Sequence, residues 1–529
     1  MAFLEIIKTI VGILLVAVVS EAIRRLYFHP LAHIPGPKLA ALTWWYEFYF
    51  DVIRQGQYVF QIQKLHKIYG PIIRITPDEL HIEDVGFLDA IYAPSMSRRD
   101  KYEYQLRTLR VPGGVGTTAR HDVHKKRREA LNPFFSKRNV LDLEPVIAKK
   151  VDKLCEIIGK HSSDGVLINL SDLFFAFSND ITHYPEKTVM LILDSVVINF
   201  LFAHQVDLLS DEKTAAISRQ NSKELLMGVN MNKHFPWIPD FLESLPESIS
   251  RPIMPPGLID MLALFDRVRA ELTEIIKAKA SGKVDQNSKG PKSKKSVYAS
   301  VVDNPSLPPQ ERTLLRLEQE GALLALAGTE SPAQTLNILF YHLLSNPSIL
   351  ATLRAEIDSV PLSWSNLDKL PYLSAVIEEA NRLSFGVTAR AARIAHEPLV
   401  YTPTSYTTSP HQGESYTIPS GTPVSITTLC AHTAETVFPS PYVFDPTRWL
   451  GEEGRERRKF QLAFSKGGRK CLGIELANAE LCLVTAALVQ KLEMKLWETD
   501  KDDVAFLHDY HVAMPKMESK GVRVTAKVR

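Results

Sequence analysis

Apolar side chains recur every three to four residues through most of the 529-residue chain, which predicts a body of amphipathic helices. Strand-like patterning is confined to short runs at Pro71–Ile82, Ala392–Tyr401 and Tyr416–Thr428. The chain is therefore expected to be mainly α with small β-sheets. No internal repeat or change of composition divides residues 41–529, which read as one large domain. Residues Ala280–Ser296 are polar, basic and broken by glycine and proline, and read as a solvated surface loop.

The N-terminus departs from this pattern. Ile10–Val19 carries no charge, and Ala2–Ser20 is apolar apart from Glu5 and Lys8. A helix of about 18–20 residues just spans a bilayer. Arg24 and Arg25 follow at once, which places the body on the cytosolic side. A cleaved signal peptide needs a basic leading region and a small-residue cleavage site, and neither is clear, so residues 1–22 read as a membrane anchor. Residues 23–40, ending in "HPLAHIPGPKLA", form a proline-stiffened connector that cannot continue the helix.

The longest helical pattern runs from Thr313 to Ser345, on the order of 50 Å at about 1.5 Å per residue. Its middle, "ALAGTESPAQ", is poor helix chemistry. Pro332 has no amide hydrogen for the carbonyl of Gly328, and Gly328 lowers helix stability by about 1 kcal/mol relative to alanine. The helix is expected to open there, placing Glu330 and Ser331 beside a freed carbonyl.

Net charge is +2, which makes no case for nucleic acid as a partner. Cys155, Cys430, Cys471 and Cys482 are widely separated, which argues against a disulfide framework or a zinc cluster. Cys471 lies in the basic, glycine-rich loop "FSKGGRKCLG", just before a helical pattern. A thiol near a helix N-terminus, flanked by Arg469 and Lys470, is expected to favour the thiolate. A redox thiol, a nucleophile and a metal ligand all fit that environment.

The surrounding residues resemble those of one family. "FSKGGRKCLG" matches the haem-binding pattern F-x-x-G-x-R-x-C-x-G at Phe464, Gly467, Arg469, Cys471 and Gly473. "AGTES" resembles the oxygen-activating helix motif, with Glu330 and Ser331 in the acid and alcohol places. "EANR" supplies Glu379 and Arg382 of an E-x-x-R helix, and "FDPTRW" supplies Arg448 of the segment that completes it. E-x-x-R alone carries no weight, since Glu452 and Arg455 give another example, but four motifs in the family's order do. The sequence looks like a cytochrome P450, a haem-thiolate monooxygenase. "HDVHKKRREALNPFFSKRNV" is similar to fungal secondary-metabolism members akin to trichodiene oxygenase.

The resemblance implies the family fold and haem b, with Cys471 as the axial iron ligand. Phe464 would pack beside the thiolate, Gly467 and Gly468 would allow turn conformations closed to other residues, and Arg469 would bind a haem propionate. His124 and Arg128, four apart on one helical face, and Arg393 would reach the propionates too. Glu379, Arg382 and Arg448 would form a buried ion network behind the haem. In the long helix, the Gly328 carbonyl and the Ser331 hydroxyl would hold water where dioxygen is reduced, and Glu330 would relay protons. Relatives usually carry threonine at the Ser331 place and a second alcohol at the Pro332 place.

The implied reaction inserts one oxygen atom of O2 into a lipophilic molecule, by hydroxylation or epoxidation of a terpenoid, polyketide or alkaloid. Electrons would come from NADPH through a separate reductase, docked on a basic face of Lys466, Lys470 and Lys125–Arg128. The implied location is the endoplasmic reticulum membrane, crossed once. The pocket would be lined by Val111–Gly116, Leu323–Ala327, Ser384–Arg390 and His508–Met514. Within Ser178–Gln205 about seventeen residues, roughly Thr182–Ile198, exceed the family pattern, as a true insertion or an unspliced intron read in frame. Two alternatives follow: a haem-thiolate isomerase or dehydratase, against which Glu330 and Ser331 argue, and a non-functional product of that segment.

Overall fold

The computed structural model describes residues 2–182, 207–280, 301, 304–305, 307–407 and 414–529. The expectations for Thr182–Ile198 beyond Thr182, and for the loop beyond Ala280 as far as Ser296, lie outside the described residues. The apolar N-terminus forms a helix over Ala2–Ile23 with no buried residue, and helical geometry continues as a π turn over Arg24–Phe28. Among the described residues this is the one helix long and apolar enough to cross a membrane. Its end is fastened to the body. The Arg25 guanidinium lies 4.9 Å from the Trp44 ring centroid and donates to the Leu42 carbonyl at 2.7 Å, and Arg74 donates to the Arg25 carbonyl at 2.8 Å.

Each strand-like run splits into two short strands. Ile72–Arg74 and Leu80–Ile82 pair as an antiparallel hairpin, and Leu80–Ile82 then pairs in parallel with Pro423–Ser425. Arg393–Ala395 joins next, and Arg99–Lys101, not anticipated, closes the five-stranded sheet with Lys101 directly opposite Arg393. A hairpin of His508–Tyr510 and Val512–Met514 stands apart.

The helix Leu314–Ser345 crosses the body, packed against the helices Leu170–Thr182, Pro256–Ala280 and Pro371–Ser384. Leu336, Leu339, Phe340 and Leu343 recur at helical spacing and are fully buried, with Phe340 and Phe174 rings 5.2 Å apart. The helix is continuous through Gly328 and Pro332, so the expected opening does not interrupt it. The packed neighbours on three sides hold the turn that local propensity would release. Pro332 still offers no donor to the Gly328 carbonyl.

Candidate functional site

A cavity of about 520 Å³ separates the middle of the long helix from the cysteine loop. Gly328, Glu330 and Ser331 of the helix and Phe464, Arg469, Cys471 and Gly473 of the loop all line it. Gly467 is not in the lining. It sits behind the loop at φ +68, where a Cβ would collide with the carbonyl oxygens of Tyr92 and Ala93. Gly468 corrects the expectation made for it. It does not adopt a positive φ, and its need for glycine is proximity, with a Cβ falling 2.7 Å from the Ser95 Cα. The loop delivers Cys471 one turn before the helix Ile474–Lys491, its amide donating to the Phe464 carbonyl at 2.8 Å.

The expected thiolate is also corrected. Cys471 is exposed to the cavity, and desolvation by the surrounding protein pushes its thiol up, opposed in part by the Gly473 amide and Arg128. Arg469, the neighbour expected to help, turns away to donate to the carbonyls of Thr118 at 2.6 Å and Ala119 at 2.7 Å.

Basic side chains converge on the same cavity, with His124 in its neutral form. Lys101, His124, Arg128, Arg393 and Arg469 all line it. Burial pushes His124 down to about 2, with Arg469, Lys101 and Arg128 adding to the effect. Burial also pushes Arg469 down to about 9, with Arg393 and Arg128 adding and Asp100 opposing. Lys101 is held well below its ordinary value by burial, then by Arg393 and Arg469. Buried, mutually repelling cations of this kind suit a group with more than one negative charge. Arg469 keeps its Nε buried and without a partner. Arg128 donates to the Lys470 carbonyl and so ties its helix to the cysteine loop. Arg393 donates to the Ala391 carbonyl at 2.7 Å and lies over the Tyr92 ring. Lys101 was not anticipated. It enters as the cross-strand partner of Arg393, a pairing that spacing along the chain does not reveal.

Across the cavity, Glu330 accepts a hydrogen bond from the Ser222 hydroxyl on the helix Glu212–Met227, another unanticipated partner. Burial holds the Glu330 carboxyl above its usual range, opposed by the Ser222 hydrogen bond and by Arg219. Behind the cysteine loop, Glu379 and Arg382 are fully buried and joined by two hydrogen bonds of 2.8 Å. Arg448 donates to Glu379 at 3.3 Å and the Trp449 indole at 2.9 Å, while Arg382 also donates to the carbonyls of His432 at 2.8 Å and Pro441 at 2.6 Å.

The four segments expected to line a substrate pocket all reach the cavity, through residues such as Val111, Leu323, Val387 and Val512. Ser222, Leu226, Val229 and Asn232, from a region given no role in the sequence, line it as well. The basic docking face is narrower than expected. Arg127 is buried and paired with Glu311 at 2.5 Å, and Lys466 is paired with Asp89 at 2.7 Å. Lys125, Lys126 and Lys470 remain exposed.

The family model for cytochrome P450 matches residues 35–519. Cytochrome P450 monooxygenase TRI4 of Trichoderma arundinaceum is 35% identical over 501 residues, covering 93% of this chain and 90% of that protein. Tryptophan 6-hydroxylase fscE of Fusarium equiseti is 35% identical over 532 residues, covering 99% and 98%. Conidiogenone synthase PchP450 of Penicillium rubens is 35% identical over 507 residues, covering 95% of each chain.

Proposed function

The chain belongs to the cytochrome P450 family, and from that premise we propose that it hydroxylates or epoxidises a lipophilic secondary metabolite, with Cys471 as the residue that would ligate the iron of haem b. The observation that carries this reading is that Cys471 lines the same cavity as Glu330 and Ser331. The residues present fit the cofactor. The converging cations, with the buried Arg469 Nε left over, suit two propionates, and Gly473 offers a flat surface, with no protein atom within 4 Å of where a Cβ would stand.

Bound haem supplies oxygen activation, to which a cysteine thiolate contributes electron density that favours O–O cleavage. The protein's own groups do the rest. Arg469, His124, Arg128, Arg393 and Lys101 would hold the carboxylates, and Phe464 would cover the sulfur. The Ser331 hydroxyl would orient water where dioxygen is reduced, and Glu330 would pass protons inward from the Ser222 side. The Glu379–Arg382–Arg448 network fixes the helix behind the loop. The apolar residues of the cavity exclude bulk water and favour a lipophilic substrate, with terpenoids, polyketides and alkaloids as the classes to test.

The remaining elements follow from the same premise. Two electrons arrive from NADPH through a reductase docked at Lys125, Lys126 and Lys470. The N-terminal helix anchors the enzyme in the endoplasmic reticulum with its body in the cytosol. Replacing the ligand tests the assignment directly: Cys471→Ser should abolish the band at about 450 nm of the reduced carbon monoxide complex. A variant that retains that band would refute the ligand assignment.

A further inference from the structure

We infer that His511 is the residue that selects the substrate, by hydrogen bonding to an oxygen substituent on an otherwise apolar molecule. This inference rests on the function proposed above. His511 stands at the tip of the hairpin His508–Tyr510/Val512–Met514, in the cavity lining, and is the one residue between the paired Tyr510 and Val512. Its φ is +75, a left-handed backbone rarely adopted by side-chain-bearing residues outside turns. Glycine or asparagine is the usual occupant of such a position.

The surroundings hold that conformation from both sides. The His511 amide donates to Asp509 Oδ1 at 3.1 Å, and its carbonyl accepts from the Thr388 amide at 2.9 Å. Thr388 also donates its hydroxyl to Asp509 Oδ1 at 2.7 Å. Backbone strain maintained by several independent contacts points to a use for the side chain it presents.

That side chain is unfinished. Its Nδ1 is buried without a protein partner, a state that costs free energy unless a ligand completes it. Arg469 Nε and Glu480 Oε2 are also without a partner in the lining, but one belongs to a guanidinium and the other to a carboxyl group, whereas the polar side chains near the hairpin are engaged. Gln105 is held between Glu79 at 2.7 Å and the Ala392 amide at 3.0 Å, Arg390 is taken up by Glu47 and Glu79, and Asn232 donates to the Thr108 carbonyl at 3.3 Å. Burial pushes the His511 imidazole down to about 4, with Lys101 adding to it, so the ring is neutral near pH 7. A neutral imidazole offers one donor and one acceptor. It therefore matches a hydroxyl or a carbonyl, and a carboxylate less well. The preferred substrate is a lipophilic molecule that already carries such an oxygen, so the reaction class that supplies it is an earlier oxygenation or an oxygen-retaining cyclisation.

The test uses full-length holoprotein in detergent with decalin, 2-decalol and 2-decalone as matched probes, and calorimetry and haem absorbance as readouts. The parent should bind the two oxygenated probes about 10-fold more tightly than decalin, the factor that about 1.4 kcal/mol provides. His511→Leu should bring all three to the decalin value while leaving decalin binding unchanged. His511→Asn, which keeps a donor and an acceptor and tolerates the left-handed backbone, should restore most of the preference. A His511→Leu variant that keeps the preference overturns the inference, and so does one that instead loses haem, since the imidazole would then serve the cofactor. The two readings fail separately. A parent without the carbon monoxide band sinks the proposed function, whereas an unselective parent with that band sinks the role of His511.

Discussion

Gly473→Ala separates what the protein requires from what the cofactor requires. Gly473 has φ −89 and ψ 19, which an alanine can adopt, and an added Cβ meets no protein atom within 4 Å. Gly473 is the N-cap of the helix Ile474–Lys491 but makes no side-chain cap. The lost cap preference of glycine over alanine and the gain from a less flexible unfolded chain are each about 0.5–1 kcal/mol and oppose one another. The fold should therefore be within about 1 kcal/mol of the parent. Gly467→Ala is the contrast: at φ +68 alanine costs about 1–2 kcal/mol before its collision with the Tyr92 and Ala93 carbonyls is counted. If the macrocycle lies over Gly473, the extra methyl overpacks that contact by about 1–3 kcal/mol, and haem affinity falls roughly 10-fold or more. The assay is haem titration of apoprotein, followed by absorbance, with the helical signal and unfolding midpoint recorded on the same samples. Gly473→Ala should match the parent in folding and fail in haem uptake, and Gly467→Ala should fail in both. Parent-like haem affinity in Gly473→Ala would refute the placement of the cofactor.

Ser331→Ala should leave substrate affinity nearly unchanged and raise the peroxide released per electron pair, while Ser331→Thr should lower it, because the added methyl restricts the hydroxyl rotamer. Equal coupling in Ser331→Ala and the parent would move the water anchor elsewhere. Arg382→Lys keeps the charge but loses the fork that reaches both Glu379 oxygens at 2.8 Å and the His432 and Pro441 carbonyls. Loss of stability on the order of 3–5 kcal/mol is expected from urea unfolding. A loss below about 1 kcal/mol would show that the network contributes little.

The parts legible in the sequence were those written in local spacing. The helix Leu314–Ser345, the three strand-like runs and the cysteine loop each depend on residues within a few turns of one another. Lys101 was not legible because its role comes from standing opposite Arg393, through a register made by strands from distant parts of the chain. Ser222 was not, because only the packing of two helices brings its hydroxyl to Glu330. The continuity of the long helix shows the converse. Gly328 and Pro332 weaken it locally, and burial among three packed helices outweighs a combined loss of about 4 kcal/mol.

The cysteine loop shows why charge along the sequence is a poor guide to the state of a thiol. Arg469 and Lys470 flank Cys471, yet Arg469 spends its hydrogen bonds on Thr118, Ala119 and Arg99, and Lys470 is exposed at the surface. The sulfur is open to the cavity, and desolvation by the surrounding protein is then the largest influence on it, acting against the thiolate. In the proposed site Cys471 would hold the haem iron, and a coordinated cation of that kind would favour the ionised thiol. The loop's basic character serves a different purpose: Arg469 fastens the loop to the Thr118–Ala119 segment, and its unpartnered Nε would be left to meet a carboxylate of the proposed cofactor. The geometry of the loop is thus set by its backbone contacts, and the reactivity of Cys471 by the group it holds.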